Sequence, residues 1–163
     1  MDRLILFRHG KAERDSDSGE DFDRRLTERG VRESAATAAN LADMGLVPDL
    51  VLVSPAARTR ETWTAAQAAF PGAAWRIEPS LYHAEERVIR KLAESAGETS
   101  NAVMVVGHNP GLQELTIRLL HEGSAPSPLV ARAHAMFPTA AAAVFLFDAV
   151  GRPSYDGLFF PRG

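Results

Sequence analysis

The sequence predicts an α/β fold of three layers, α/β/α, with a mostly parallel central sheet and antiparallel strands at its C-terminal end. Three observations carry that prediction. Apolar runs within residues 3–8, 49–53 and 102–106 are short and lack polar alternation, as strands covered on both faces do. Segments with helical periodicity separate them, and such crossovers pair strands in parallel. Beyond them, two more apolar stretches flank the turn Gly151-Arg152-Pro153.

Taken in order, residues 3–8 form the first strand, and Leu4-Ile5-Leu6-Phe7 ends abruptly in Arg8-His9-Gly10. Residues 14–25 hold Asp15, Asp17, Glu20, Asp21 and Asp23 against Arg14, Arg24 and Arg25. Such a run reads as a solvated loop or as a flap beside a site. Thr27 is placed to cap a helix that stops at Gly45, with Val31, Ala35, Ala38 and Ala42 as its apolar face. Asp49 to Val53 is the second strand. Ser54-Pro55 is a helix-start signal, and the helix runs to about Phe70 with Arg58 in its first turn.

Residues 75–78 make a short strand closed by Pro79. Ser80 to His83 leads into a helix with Glu85 and Glu86 in its first turn, and Val88, Ile89, Leu92, Ala93 and Ala96 as its buried stripe. Ala102 to Val106 is the strand most clearly buried. It ends in Gly107-His108-Asn109-Pro110-Gly111, where Asn109 is placed to cap the next helix and Pro110 to start it. Residues 121–141, with Gly123, Pro126, Pro128 and Pro138, read mainly as loop. Ala142 to Phe147 is a strand, and residues 155–160 are a final edge strand. Neither repeat nor linker interrupts this order, so residues 1–163 are expected to form a single domain.

Composition narrows the function classes. A length of 163 residues suits one buried core, and 45% hydrophobic with 24% charged residues is ordinary for a globular protein. The net charge of -3 implies no basic face for nucleic acid or an anionic membrane. The absence of cysteine removes thiolate chemistry and cysteine metal sites. Met1-Asp2-Arg3 leads straight into a strand, unlike a signal peptide, and no apolar run is long enough to span a bilayer. A cytoplasmic protein, monomeric and without cofactor, is expected.

Parallel strands present their carboxyl ends on one edge of a sheet, where open α/β folds bind ligands. Arg8-His9, Ser54 with Arg58, and Gly107-His108 would therefore meet there. Two arginine forks and a helix N-terminus beside His108 suit a phosphoryl group. A neutral imidazole can attack phosphorus, and neighbouring cations keep it unprotonated. His121 reads as a helix C-terminal residue and His134 as a loop residue. The histidines lack the i, i+4 spacing of a metal pair, and no metal is expected.

These motifs resemble a known family. Leu6-Phe7-Arg8-His9-Gly10 resembles the Arg-His-Gly signature of the histidine phosphatase (phosphoglycerate-mutase-like) superfamily. Ser54 to Thr62 is similar to its second arginine motif, and Gly107 to Leu112 to its second histidine motif. Lys11-Ala12-Glu13, Leu26-Thr27-Glu28-Arg29-Gly30 and Phe137-Pro138-Thr139-Ala140-Ala141 resemble its SixA-type phosphohistidine phosphatase branch. Glu61 and Trp63 depart from it, standing where the family usually has glutamine and alanine.

The resemblance implies that His9 is a nucleophile that becomes phosphorylated, within a phosphate pocket of Arg8, Arg58 and His108, with Asn109 beside it. It also implies hydrolysis without a metal. Larger members carry a glutamate general acid after the third strand. Here His83 falls at that place, and His83 or Glu85 is the candidate acid, with a plain helix-start role the competing reading of Glu85. The expected substrate is a phosphorylated protein carrying phosphohistidine. A small phosphate ester, of a nucleotide or sugar, is the alternative, and a non-catalytic module binding phosphorylated proteins is a third reading.

Overall fold

The computed structural model describes residues 1–161. One six-stranded sheet organises it, built from β1 (Arg3–Arg8), β2 (Leu50–Val53), β3 (Ala74–Ile77), β4 (Ala102–Gly107), β5 (Ala142–Phe147) and β6 (Pro153–Phe159). Their order across the sheet is β3-β2-β4-β1-β5-β6. The pairs β1–β4, β2–β4 and β2–β3 are parallel, while β1–β5 and β5–β6 are antiparallel. The helices are α1 (Glu28–Asp43), α2 (Ala57–Ala66), α3 (Glu86–Ala96), α4 (Gly111–Glu122) and α5 (Ser127–Ala135).

The unbroken apolar strands follow from this layering. In β1, Leu4 and Leu6 face one core while Ile5 and Phe7 face the other, because strand side chains alternate. Val103 and Val105 of β4 join the first core with Ile89, Ala93, Leu112 and Leu115 of α3 and α4. Met104 and Val106 join the second with Ala38 and Leu41 of α1 and Trp63 of α2.

Several expectations require correction. The buried face of α1 is Gly30, Ser34, Thr37, Ala38 and Leu41, whereas Val31 and Ala35 are exposed. Hydroxyls tolerate burial here because each finds an acceptor: Ser34 donates to the Gly30 carbonyl and Thr37 to the Ala140 carbonyl, both at 2.7 Å. Val88 of α3 is likewise exposed beside the buried Ile89, Ala93 and Ala96. Residues 121–141 are not mainly loop, since α5 lies within them and carries His134 in its last turn. The prolines mislead because Pro128 occupies the first turn, where a missing N–H costs nothing. Ser54 and Asn109 do not cap helices. Ala56 precedes α2 and Pro110 precedes α4, and neither helix has a side-chain cap.

Thr27 does cap α1, accepting from the Gly30 N–H at 2.9 Å. Among the described residues no helix is long and apolar enough to cross a membrane.

Candidate active site

The ends of β1, β2 and β4 lie side by side, as Arg8 pairs with Gly107 and Val53 with Val106. The residues just beyond them converge on a pocket of about 330 Å³ lined by Arg8, His9, Arg58, His83, His108 and Asn109, with Asp21. His9, Arg58 and His108 are all buried.

His9 is fixed by its surroundings. Its Nδ1 lies 2.7 Å from the Gly10 carbonyl oxygen, which can only accept, so Nδ1 carries the proton. Nε2 is then the basic nitrogen. Gly10 comes so close to α1 that a Cβ there would stand 2.5 Å from the Gly30 carbonyl oxygen and 2.5 Å from Ser34 Oγ. Its N–H donates to Thr62 Oγ1 of α2 at 3.0 Å, tying the turn to a second helix. Burial is the main cause that lowers the His9 pKa from 6.5 to about 4; the Gly10 bond opposes it, and Arg8, Arg58 and Arg24 nearby lower it further.

His108 faces His9 at 5.4 Å between ring centroids. Burial, then His9 and Arg58, lower its pKa to about 3. Its Nε2 lies 2.7 Å from Ser54 Oγ, and its Nδ1 has no partner among the described residues. Should the serine hydroxyl donate to Nε2, Nδ1 becomes an N–H donor. Ser54, which the sequence places among the converging strand ends but gives no role beyond a helix cap, is thus a site residue. Its β-strand-end position was the available signal.

The arginines are held by different segments. Arg8 donates through one terminal nitrogen to the Phe137 carbonyl at 2.9 Å, and Asn109 Nδ2 donates to that same carbonyl at 2.9 Å. Arg58 donates to the Asp21 carbonyl at 2.9 Å and to Asp21 Oδ2 at 3.1 Å. The Nε atoms of Arg8 and Arg58 have no partner among the described residues. Buried donors without acceptors are costly, and here the Nε–H groups of Arg8 and Arg58 belong to one pocket, joined by His108 Nδ1–H in the tautomer in which Ser54 donates to Nε2. A tetrahedral oxyanion supplies the acceptors they lack.

The charged loop is no free-standing solvated segment. A bridge between Ala12 and Leu26 closes its base, and Glu61 of α2 accepts from the Leu26 N–H at 2.8 Å and from Arg25 at 2.9 Å. Its tip carries Asp21 into the pocket, where the Tyr82 hydroxyl donates to Oδ2 at 2.6 Å. Neither Asp21 nor Tyr82 stood out in the sequence, because one acid among five and one tyrosine in a loop carry no pattern.

His83 lines the pocket and is itself exposed, with backbone φ of 58° and its ring 4.0 Å from that of Tyr82. Glu85 does not line it. Glu85 precedes α3 and pairs with Arg87, in an adjoining groove of about 560 Å³ shared by His83, His108, Asn109 and Arg118. Among the described residues, no three His, Cys, Asp or Glu side chains are grouped to hold a metal ion.

Comparison with known proteins identifies the family and the fold. The family model described as histidine phosphatase superfamily (branch 1) matches residues 4–83. A solved structure from Agrobacterium tumefaciens, assigned as phosphohistidine phosphatase SixA, superposes with a TM-score of 0.86 at 32% identity, covering 98% of each chain. One from Nakamurella multipartita, assigned likewise, gives 0.84 at 25% identity over 99% of this chain and 97% of that one. An uncharacterized chloroplastic protein of Arabidopsis thaliana is 34% identical over 69% of this chain, and the match spans 56% of its own length.

Proposed function

Since this chain belongs to the histidine phosphatase superfamily, we propose that it acts as one catalytic domain that dephosphorylates protein phosphohistidine through a phosphoryl group carried on His9. The observation that carries the reading is the pairing of His9 Nδ1 with the Gly10 carbonyl, which leaves Nε2 as the basic nitrogen beside two guanidinium groups with unpartnered Nε atoms.

In the first step Nε2 attacks phosphorus, a P–N bond to His9 forms, and the bond to the leaving group breaks. Charge on the equatorial oxygens is met by Arg8, Arg58 and His108, all in place before the reaction begins. The leaving imidazole nitrogen takes up a proton as it departs, from water or from His83 at the pocket. Water then attacks the phosphohistidine, the P–Nε2 bond breaks, and inorganic phosphate forms as neutral His9 is regenerated. No step requires a metal, so activity is expected to survive a chelator.

Protein phosphohistidine is favoured because a protonated imidazole leaves more readily than an alkoxide, which lessens the need for a strong acid. Glu85, the one carboxylate candidate for that acid, does not line the pocket. The exposed His83 supports the second reading, a small phosphate ester, since an imidazole there is placed to protonate an alkoxide.

The test is turnover of a histidine-phosphorylated protein domain beside a panel of nucleotide and sugar phosphates, with His9→Ala as control. His9-dependent loss of phosphohistidine with little ester hydrolysis is expected, together with an acid-labile phosphoenzyme in the wild type. The reverse preference establishes the ester reading, and substantial turnover by His9→Ala removes His9 from the nucleophile's role.

A further inference from the structure

The flap between Ala12 and Leu26 is built unevenly. Its base is tied by the Ala12–Leu26 bridge, the bond from Glu13 N–H to the Arg25 carbonyl, and Glu61. Its tip rests on Asp21, together with the half-exposed Phe22 packed edge-on against Tyr82 at 5.1 Å. Asp21 spends its carboxylate on three donors: Arg24 Nε at 3.0 Å, Arg58 at 3.1 Å and the Tyr82 hydroxyl at 2.6 Å. The Tyr82 hydroxyl first, then Arg24 and Arg58, hold this carboxyl well below the usual carboxylate range, so it is ionised at neutral pH.

An anion thus already occupies the terminal edge of a buried arginine in the pocket proposed to take phosphate. Asp21 holds both terminal nitrogens of Arg58 and leaves Nε free, so a phosphoryl group that engages Arg58 through two nitrogens must share a terminal nitrogen with Asp21, and two anions on one guanidinium repel. The contacts of Asp21 with Arg24 and Tyr82 are surface ones and its side chain stays half-exposed even against the buried Arg58, so the tip can withdraw while the base stays tied.

We infer that Asp21 is a competing anion built into the phosphate pocket, held there by Tyr82 and Arg24, which keeps Arg58 neutralised until a phosphoryl group displaces it. The inference rests on the reading of Arg8, His9, Arg58 and His108 as a phosphate site. It assigns the flap two tasks. Asp21 excludes anions too weak to displace it, and by returning to Arg58 it expels product phosphate.

Calorimetric titration with inorganic phosphate tests this on the wild type, Asp21→Asn, Tyr82→Phe and Asp23→Asn. Asp23 is an acid of the same flap that accepts from Ser18 and is not bonded to Arg58, so it controls for a mere change of net charge. Asp21→Asn is expected to bind phosphate about fivefold more tightly, the size of one partly exposed charge contact. Tyr82→Phe should move the same way by less, and Asp23→Asn by little. In turnover, Asp21→Asn should lower both KM and the inhibition constant of phosphate. Unchanged or weaker phosphate binding by Asp21→Asn overturns the inference, because a merely structural residue loses affinity when removed. An equal gain in Asp23→Asn overturns it too. Absence of phosphate binding in all four proteins overturns the phosphate-site reading, and this inference with it.

Discussion

At the scale of single residues, the chemistry turns on which nitrogen of His9 holds the proton. A carbonyl oxygen cannot donate, so the Gly10 contact decides the tautomer without any help from a carboxylate. Nitrogen-15 spectra of the imidazoles should therefore show His9 as the Nδ1–H form from neutral pH down to near 4, where burial and the arginines place its titration. Titration near 6.5 would mean that the ring is not held as described. Gly10→Ala probes the same turn from the backbone side. A Cβ directed at the Gly30 carbonyl and Ser34 Oγ must push β1's end away from α1, and a cost of about 1–3 kcal/mol with loss of turnover is expected. Ser54→Ala removes the hydroxyl beside His108 Nε2 and leaves a buried ring nitrogen unpaired. A fall of about tenfold or more in kcat with intact folding is the expected result, and unchanged kcat would show that this bond does not orient His108.

At the scale of elements, the strands and their ends were legible, and helix faces and loop contacts were not. Arg8, His9, Arg58 and His108 could be found because each follows or lies one turn beyond an apolar run, a local pattern that a parallel sheet converts into proximity. The α1 face was misread because three of its five buried positions are glycine, serine and threonine, whose burial depends on close approach or on an acceptor the pattern does not show. Thr37 reaching Ala140 across 103 residues is such a case. Thr37→Val keeps the shape, removes that bond and leaves the Ala140 carbonyl without it, so a loss of about 1–3 kcal/mol is expected in urea unfolding. A variant as stable as the wild type would show that the carbonyl finds water instead. Asp21 and Glu61 were illegible for a like reason. Acids in a charged run look solvated until the fold supplies Arg58 on one side and the Leu26 N–H on the other.

At the scale of the whole molecule, one edge of the sheet gathers cations and two buried imidazoles, and that concentration links the site to the stability of the fold. Both histidines have pKa values below their ordinary 6.5, about 4 for His9 and about 3 for His108, chiefly because burial disfavours the charged ring. The unfolded chain takes up protons at both rings as pH falls through 6.5, whereas the folded chain does so only near 4 and near 3. Their contribution is therefore fully present above pH 6.5 and drains away below it, each ring steepening the loss by up to about 1.4 kcal/mol per pH unit. The urea midpoint should accordingly hold between pH 8 and 7 and fall clearly between pH 6 and 4.5. His108→Gln, which cannot titrate, should flatten that fall by roughly half, even though it is less stable at pH 7 for want of the ring's packing. Parallel slopes in the two proteins would mean that His108 is not the group whose protonation unfolds the chain.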